Sequence, residues 1–189
     1  YRAGDQPNNA LSLNVLSPGE VAATAGTSGV IYGVTGEKKF DPLSRINTFL
    51  HVNNSESQTR LGVLLCINGT GILNSWMKKI AGTGLTYRQM NTQAAKVRPG
   101  SDGLLVLPFG NGAERVLKNR EISSSFSGIN FNIHTPAHLF RASQEGIAFS
   151  FRYGLDVMKE TGINPEIIRA GETNMFQSRV FREVLSSVT

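Results

Sequence analysis

The chain has 189 residues, 40% hydrophobic and 17% charged, with a formal net charge of +5. That composition is of one globular domain with core enough to fold unaided, and Cys66 as the sole cysteine excludes an internal disulfide. No apolar run reaches membrane-spanning length and none reads as a secretory leader, so no membrane partner is expected and the expected location is cytoplasmic.

The basic residues Arg45, Arg60, Lys78, Lys79, Lys96, Arg98, Arg115, Lys118 and Arg120 are scattered, and no basic run is interleaved with aromatics. They read as a solvated surface, and no nucleic-acid partner is expected. Inside GVLLCING, Cys66 reads as a small buried hydrophobe rather than a nucleophile.

In chain order, GDQPNNALSLNVLSPGE opens with helix-start chemistry at Asp5 and carries Ala10, Leu11, Leu13 and Val15 before a Pro18-Gly19 turn. VAATAGTSGVIYGVTG reads as two short strands around Gly26-Thr27-Ser28-Gly29. FLHVN and RLGVLLCING read as two more, joined by a polar turn over residues 53–58, which makes an antiparallel meander. GTGILNSWMKKIAG then has Ile72, Leu73, Trp76 and Ile80 at helical spacing, so Trp76 is expected in the core.

A second helix is expected over TYRQMNTQAAKV, and DGLLVLPF is a continuous apolar run of buried-strand type. GNGAERVLKNREISSSFSGINFN reads as a long surface excursion. Thr135-Pro136 opens the clearest helix, with threonine as cap and proline in the first turn. Gly146 and Gly154 within it weaken propensity by about 1 kcal/mol each and imply tight packing on a neighbour. PEIIRAG is a further strand, followed by a loop at ETN and a helix from Met175. Strands followed by helices alternating with strands predict an α/β mixed sheet with an antiparallel meander and flanking helices, in the manner of ribonuclease-H-like and actin-like ATPase domains.

Three turns at strand ends attract attention: Gly26-Thr27-Ser28-Gly29, Gly69-Thr70-Gly71 and Ala170-Gly171-Glu172-Thr173-Asn174. Each is readable as an ordinary turn. Together they suit a nucleotide, because bare backbone N–H groups and helix N-termini face an anion there. Asp5 followed by Gln6 is either a helix cap with a solvent amide or a general base with a positioning amide. His134 and His138 in HTPAH stand four apart without an evident third ligand, so capping and packing roles are expected and no metal site.

These motifs resemble the second domain of the FGGY family of carbohydrate kinases, over essentially the whole chain. AGDQ looks like the family segment with the catalytic aspartate, TAGTSGV like its second phosphate motif, and NGTGILNSW like the stretch whose glycine contacts nucleotide. GLLVLPFGNGAERV and HTPAHLFRASQEGIAFSFRYGLD are similar to the family's strand-loop and long-helix segments. Where the family usually has Gly-Gly-Gly-Ala-x-Ser, this chain has RAGETNMF, retaining Gly171 and setting Glu172 and Met175 nearby.

The resemblance implies Asp5 as catalytic base, with Asp5 and Gln6 at the substrate. It implies Gly26, Thr27, Ser28, Gly29, Gly71, Gly171, Glu172 and Met175 at the nucleotide. The implied reaction moves the γ-phosphoryl group of ATP, with Mg2+, to a ketopentose, D-xylulose first, ADP being the product. The same family offers glycerol, rhamnulose and gluconate as alternatives. An N-terminal domain of the same chain would precede Tyr1 and a closing strand and helix would follow Thr189, and a homodimer is compatible with this arrangement. A ribonuclease-H-type nuclease would need converging acidic residues, whereas Asp5, Asp41, Asp102 and Glu114 read mostly as turn residues. A nonenzymatic actin-like assembly domain is the third reading.

Overall fold

The computed structural model describes residues 4–189, so Ala3, which opens the AGDQ stretch, lies outside the described residues. The elements are α1 (Asp5–Ser12), β1 (Glu20–Ala25), β2 (Gly29–Thr35), β3 (Asn47–Leu50), β4 (Leu61–Ile67), α2 (Gly71–Ile80), α3 (Tyr87–Ala94), β5 (Leu105–Leu107), β6 (Ser125–Ser127), α4 (Pro136–Glu160), β7 (Ile167–Ala170) and α5 (Arg179–Val188). The main sheet has the order β3-β4-β2-β1-β7. Its neighbours are antiparallel except β7, which lies parallel to β1 after the crossover through α4. The expected mixed sheet with its meander is present.

Burial follows from position in the sheet. β2 is flanked on both sides and covered on both faces, and all seven of its residues are buried. On one face Ala10 and Val15, from α1 and the turn after it, pack on Ala22, Tyr32 and Val34. On the other, Val21, Ile31, Val63, Leu65 and Ile67 meet the long helix α4, and α2 and α5 complete the layer. A Cβ on Gly154 would come within 2.9 Å of Ile31 and 3.0 Å of Leu65, and one on Gly146 within 2.2 Å of the Val106 carbonyl. Both glycines let α4 approach its neighbours, as expected.

Several local expectations change. DGLLVLPF does not join the main sheet: β5 spans three residues, pairs only with β6, and leaves Leu105 and Leu107 exposed. Its neighbour is α4 rather than a second strand layer, so only alternate residues, Leu104 and Val106, are covered. Trp76 is 46% exposed and stacks beside Phe126, because α2 turns Leu73 and Met77 to the core instead. The surface excursion after β5 contains a short 3₁₀ helix, Glu114–Leu117, and the strand β6. The last helix starts at Arg179, preceded by a 3₁₀ turn, Asn174–Gln177.

Thr135 and His138 form the N-terminal cap of α4, and His138 Nε2 also stands 3.2 Å from Asp102 Oδ2. At the parallel edge, Glu20 accepts from the Leu16 and Ser17 amides and from Arg169 of β7. The Arg169 bond is the main cause that its carboxyl is lowered to about 2.

His51 ties the far end of the sheet together. FLHVN is strand only through Leu50, since the His51 side chain turns into the core, where it is 1% exposed. Val15 O can only accept, so His51 Nε2 carries the proton and Nδ1 accepts from the Tyr32 hydroxyl at 3.0 Å. Burial pushes the His51 pKa below 6.5. The unfolded chain therefore takes up the proton first, so this contribution to stability is complete above about pH 6.5 and is lost as pH falls below it. The melting temperature should drop between pH 7.5 and 5.5, and His51→Gln should flatten that drop. An equally steep profile in the variant would show that other groups carry it.

Candidate nucleotide site

Pairing of Ala25 with Gly29, of Gly29 with Ile67 and of Ala23 with Ala170 puts three turns at one end of the sheet. They are residues 26–29, 68–70 and 171–174. They lie at the carboxyl ends of the parallel pair β1 and β7, the edge where ligands settle in α/β sheets.

The β1–β2 hairpin is spliced to the start of α2. Gly71 N donates to Gly26 O at 2.8 Å and Ile72 N to Thr27 O at 3.1 Å, while the Thr70 hydroxyl reaches both carbonyls. A Cβ on Gly71 would lie 2.4 Å from Gly26 O, so glycine is needed for this contact. The expectation that the α2 N-terminus faces an anion is thereby corrected, because its first N–H groups already have partners.

The splice has a consequence for the hairpin. In a trans peptide the carbonyl and the following N–H point opposite ways. With the Gly26 and Thr27 carbonyls turned to α2, the Thr27 and Ser28 N–H groups point away from it. Neither meets an acceptor among the described residues, and Thr27 is exposed. Two adjacent outward N–H groups beside the Thr27 hydroxyl are donors of the kind an anion accepts from.

Ser28 and Gly29 serve the hairpin differently. The Ser28 hydroxyl donates to Asn68 Oδ1 at 3.1 Å and joins two of the three turns. Gly29 is buried, and a Cβ there would lie 2.7 Å from the Phe151 ring and from the Thr70 methyl. Its smallness admits α4 rather than a ligand.

Beside the hairpin opens a cleft of about 830 Å³. It is lined by Gly26, Thr27 and Gly71, by Arg88, Asn91 and Thr92 on the polar face of α3, and by Asn174, Met175 and Ser178. Gly26 faces Asn174, whose Nδ2 would be 3.8 Å from an added Cβ, and Asn174 itself has φ of +50°. Gly171 and Glu172 are not in this cleft. They line a separate hollow of about 620 Å³, where Glu172 accepts from Arg182 at 3.1 Å. The loop after β7 thus divides, sending its first residues to one side and residues 174–175 to the other.

Gly4 is the N-cap of α1 and Asp5 its first residue; Asp5 is exposed, and its Oδ1 accepts from Gln6 N at 2.9 Å. The C-terminal side of α1 leads to Val15, bonded to His51 at the far end of the sheet, so Asp5 stands at the hairpin end. It does so on the face opposite the cleft. The Cys66 thiol near the end of β4 is pushed up by burial, with Glu114 and Asp5 adding to the effect. Arg88, Asn91 and Thr92 escape sequence reasoning, whereas Asn174 closes the third of the turns it singled out. The only available signal was the polar side of α3 opposite Met90 and Ala94.

Gly71→Ala should therefore cost about 1–3 kcal/mol as an overpacked contact with backbone. Gly26→Ala, whose nearest neighbours would be 3.8 Å away, should leave the melting temperature within experimental scatter. Equal melting temperatures for the two variants would contradict the splice.

A model of the FGGY family of carbohydrate kinases, C-terminal domain, matches residues 21–189. The xylulose kinase of Lactococcus lactis is 34% identical over 161 residues, covering 84% of this chain and 31% of that protein. The gluconokinase of Bacillus subtilis is 28% identical over 197 residues, covering 98% of this chain and 37% of that protein. The structure of xylulose kinase from Rhodospirillum rubrum matches with a TM-score of 0.86 at 28% identity, over 97% of this chain and 36% of that one. The chain spans about a third of the length of the relatives it matches. Its sheet and flanking helices are those of the ribonuclease-H-like, actin-like ATPase fold that these sugar kinases share, and the chain belongs to the FGGY family of carbohydrate kinases, where it matches the C-terminal domain.

Proposed function

We propose that this chain is the nucleotide-binding domain of an ATP-dependent kinase that converts a ketopentose, D-xylulose, to its 5-phosphate. An N-terminal domain would supply the rest of the sugar site. The observation that carries the proposal is the pair of N–H groups at Thr27 and Ser28 that meet no acceptor among the described residues, at the same end of the sheet as Asp5. A phosphate chain held at the hairpin has the adenosine cleft on one side and the Asp5 carboxylate on the other.

In this reading the Thr27 and Ser28 amides and the Thr27 hydroxyl hold the terminal phosphates. Gly26 allows their close approach, and Gly71, Asn174 and Met175 border the nucleoside. Gln6 orients the acceptor hydroxyl. Its oxygen bonds to the γ-phosphorus, the bond from that phosphorus to the β-phosphate oxygen breaks, and the proton passes to Asp5 while ADP departs. Closure of the two domains excludes water from the phosphoryl group.

Among the described residues no three His, Cys, Asp or Glu side chains gather into a metal site. In this reading Mg2+ would come in on the phosphates with much of its water shell and would supply neutralising charge. Gluconate is the second acceptor to consider, favoured by the Bacillus subtilis gluconokinase, whose likeness extends over 98% of the chain. A panel of D-xylulose, gluconate, glycerol and rhamnulose against the full-length parent separates these. D-xylulose should give the highest kcat/KM, and a preference for another acceptor would overturn the assignment.

For Asp5→Asn in the full-length enzyme, kcat should fall at least about 100-fold, the lower end of a general-base contribution. Its melting temperature should barely move, since Asn still accepts from Gln6 N–H. Retention of more than about a tenth of kcat would refute the assignment. Gly26→Val should raise the KM for ATP while the protein still folds, because a branched side chain blocks approach to the hairpin. An unchanged KM would return the hairpin to a plain turn. The 189-residue chain alone should phosphorylate no sugar above a no-protein control.

A further inference from the structure

The core side of α4 carries a single side-chain amide. Gln144 is 1% exposed and reaches two residues that line the cleft from different elements. Its Nε2 donates to Asn91 Oδ1 at 3.0 Å on α3, and its Oε1 accepts from the Ser178 hydroxyl at 2.6 Å, just before α5.

The polarity of this relay is set by a helix cap. Ser178 is 2% exposed, and its oxygen accepts from Phe181 N at 3.3 Å as the N-cap of α5. A buried hydroxyl proton needs an acceptor, and the one that Ser178 meets is Gln144 Oε1. That turns the Gln144 NH2 toward Asn91, which must answer with its carbonyl oxygen. Asn91 is then left with its NH2 to offer, and that group meets no acceptor among the described residues.

We propose that Gln144 is a positioning residue that makes Asn91 a hydrogen-bond donor to the nucleoside part of the nucleotide, a ribose oxygen or a purine ring nitrogen. The inference rests on the nucleotide reading above. It assigns selectivity for an acceptor at this wall to a residue that never touches the ligand. Because the relay runs from α3 through α4 to the start of α5, it also ties these three elements together beside the cleft.

The test uses the full-length parent kinase at pH 8 with Gln144→Glu, Asn91→Ala and the double variant. The ionised carboxylate that Gln144→Glu introduces can only accept, so Asn91 must turn its NH2 inward and present oxygen to the cleft. The KM for ATP should rise about tenfold in either single variant, the loss of roughly one hydrogen bond. The sugar KM and kcat at saturating ATP should stay within about twofold. The double variant should be no worse than Asn91→Ala, since both changes remove one donor. An unchanged ATP KM in Gln144→Glu, or additive effects in the double variant, would overturn the inference. So would a loss confined to kcat and melting temperature, which a purely structural amide produces. The nucleotide reading fails separately if the wild-type parent shows no ATP-dependent turnover, or if Gly26→Val leaves the ATP KM unchanged.

Discussion

The rest of this architecture depends on the splice between the β1–β2 hairpin and the start of α2. Two backbone carbonyls, those of Gly26 and Thr27, accept the first N–H groups of the helix and the Thr70 hydroxyl. Helix starts usually satisfy these donors with a side-chain cap, and Thr70 makes no such bond here. The hairpin supplies the cap instead. Peptide planarity then leaves the opposite groups, the Thr27 and Ser28 N–H, facing outward with no internal partner among the described residues. The same contact requires glycine at position 71, since any side chain would strike Gly26 O.

From that constraint the two-sided layout follows. The sheet separates α1, which carries Asp5, from the layer of α2, α3 and α5 that encloses the cleft. Their common ground is the sheet end where the hairpin projects. Phosphoryl transfer needs little covalent help from protein, so in the proposed reading holding a phosphate between these donors and the Asp5 carboxylate would be most of the task. The rigid parts are well supported: β2 is wholly buried, α4 crosses the sheet on glycines, and His51 locks the far end. The chain spans about a third of the length of the relatives it matches.

The sequence was informative where chemistry is local. Thr135-Pro136, the glycines of α4, the strand pair around residues 26–29 and the helix start at Asp5 all announce themselves by residue type. Reading failed where a tertiary neighbour decides. Trp76 and Leu73 occupy adjacent stripes of one helix, and only the sheet's position tells which is buried. The apolar run at β5 resembles a buried strand, yet α4 covers only alternate residues. Gly29 carries the same motif as Gly26 but answers to Phe151 from far along the chain. Glu172 lies three residues from Met175 and faces a different hollow, because the left-handed Asn174 turns the loop between them. The Gln144 relay joins three helices through hydrogen bonds that no spacing rule encodes.

The outward N–H groups of the hairpin are where phosphate would be held, and amide chemical shifts report on them directly. Nitrogen-15 labelled chain titrated with Mg2+ and ATP should show its largest amide shifts at Thr27 and Ser28, with smaller changes at Asn174 and on α3. Unmoved Thr27 and Ser28 resonances, with the main changes at Gly171 and Glu172, would contradict that role.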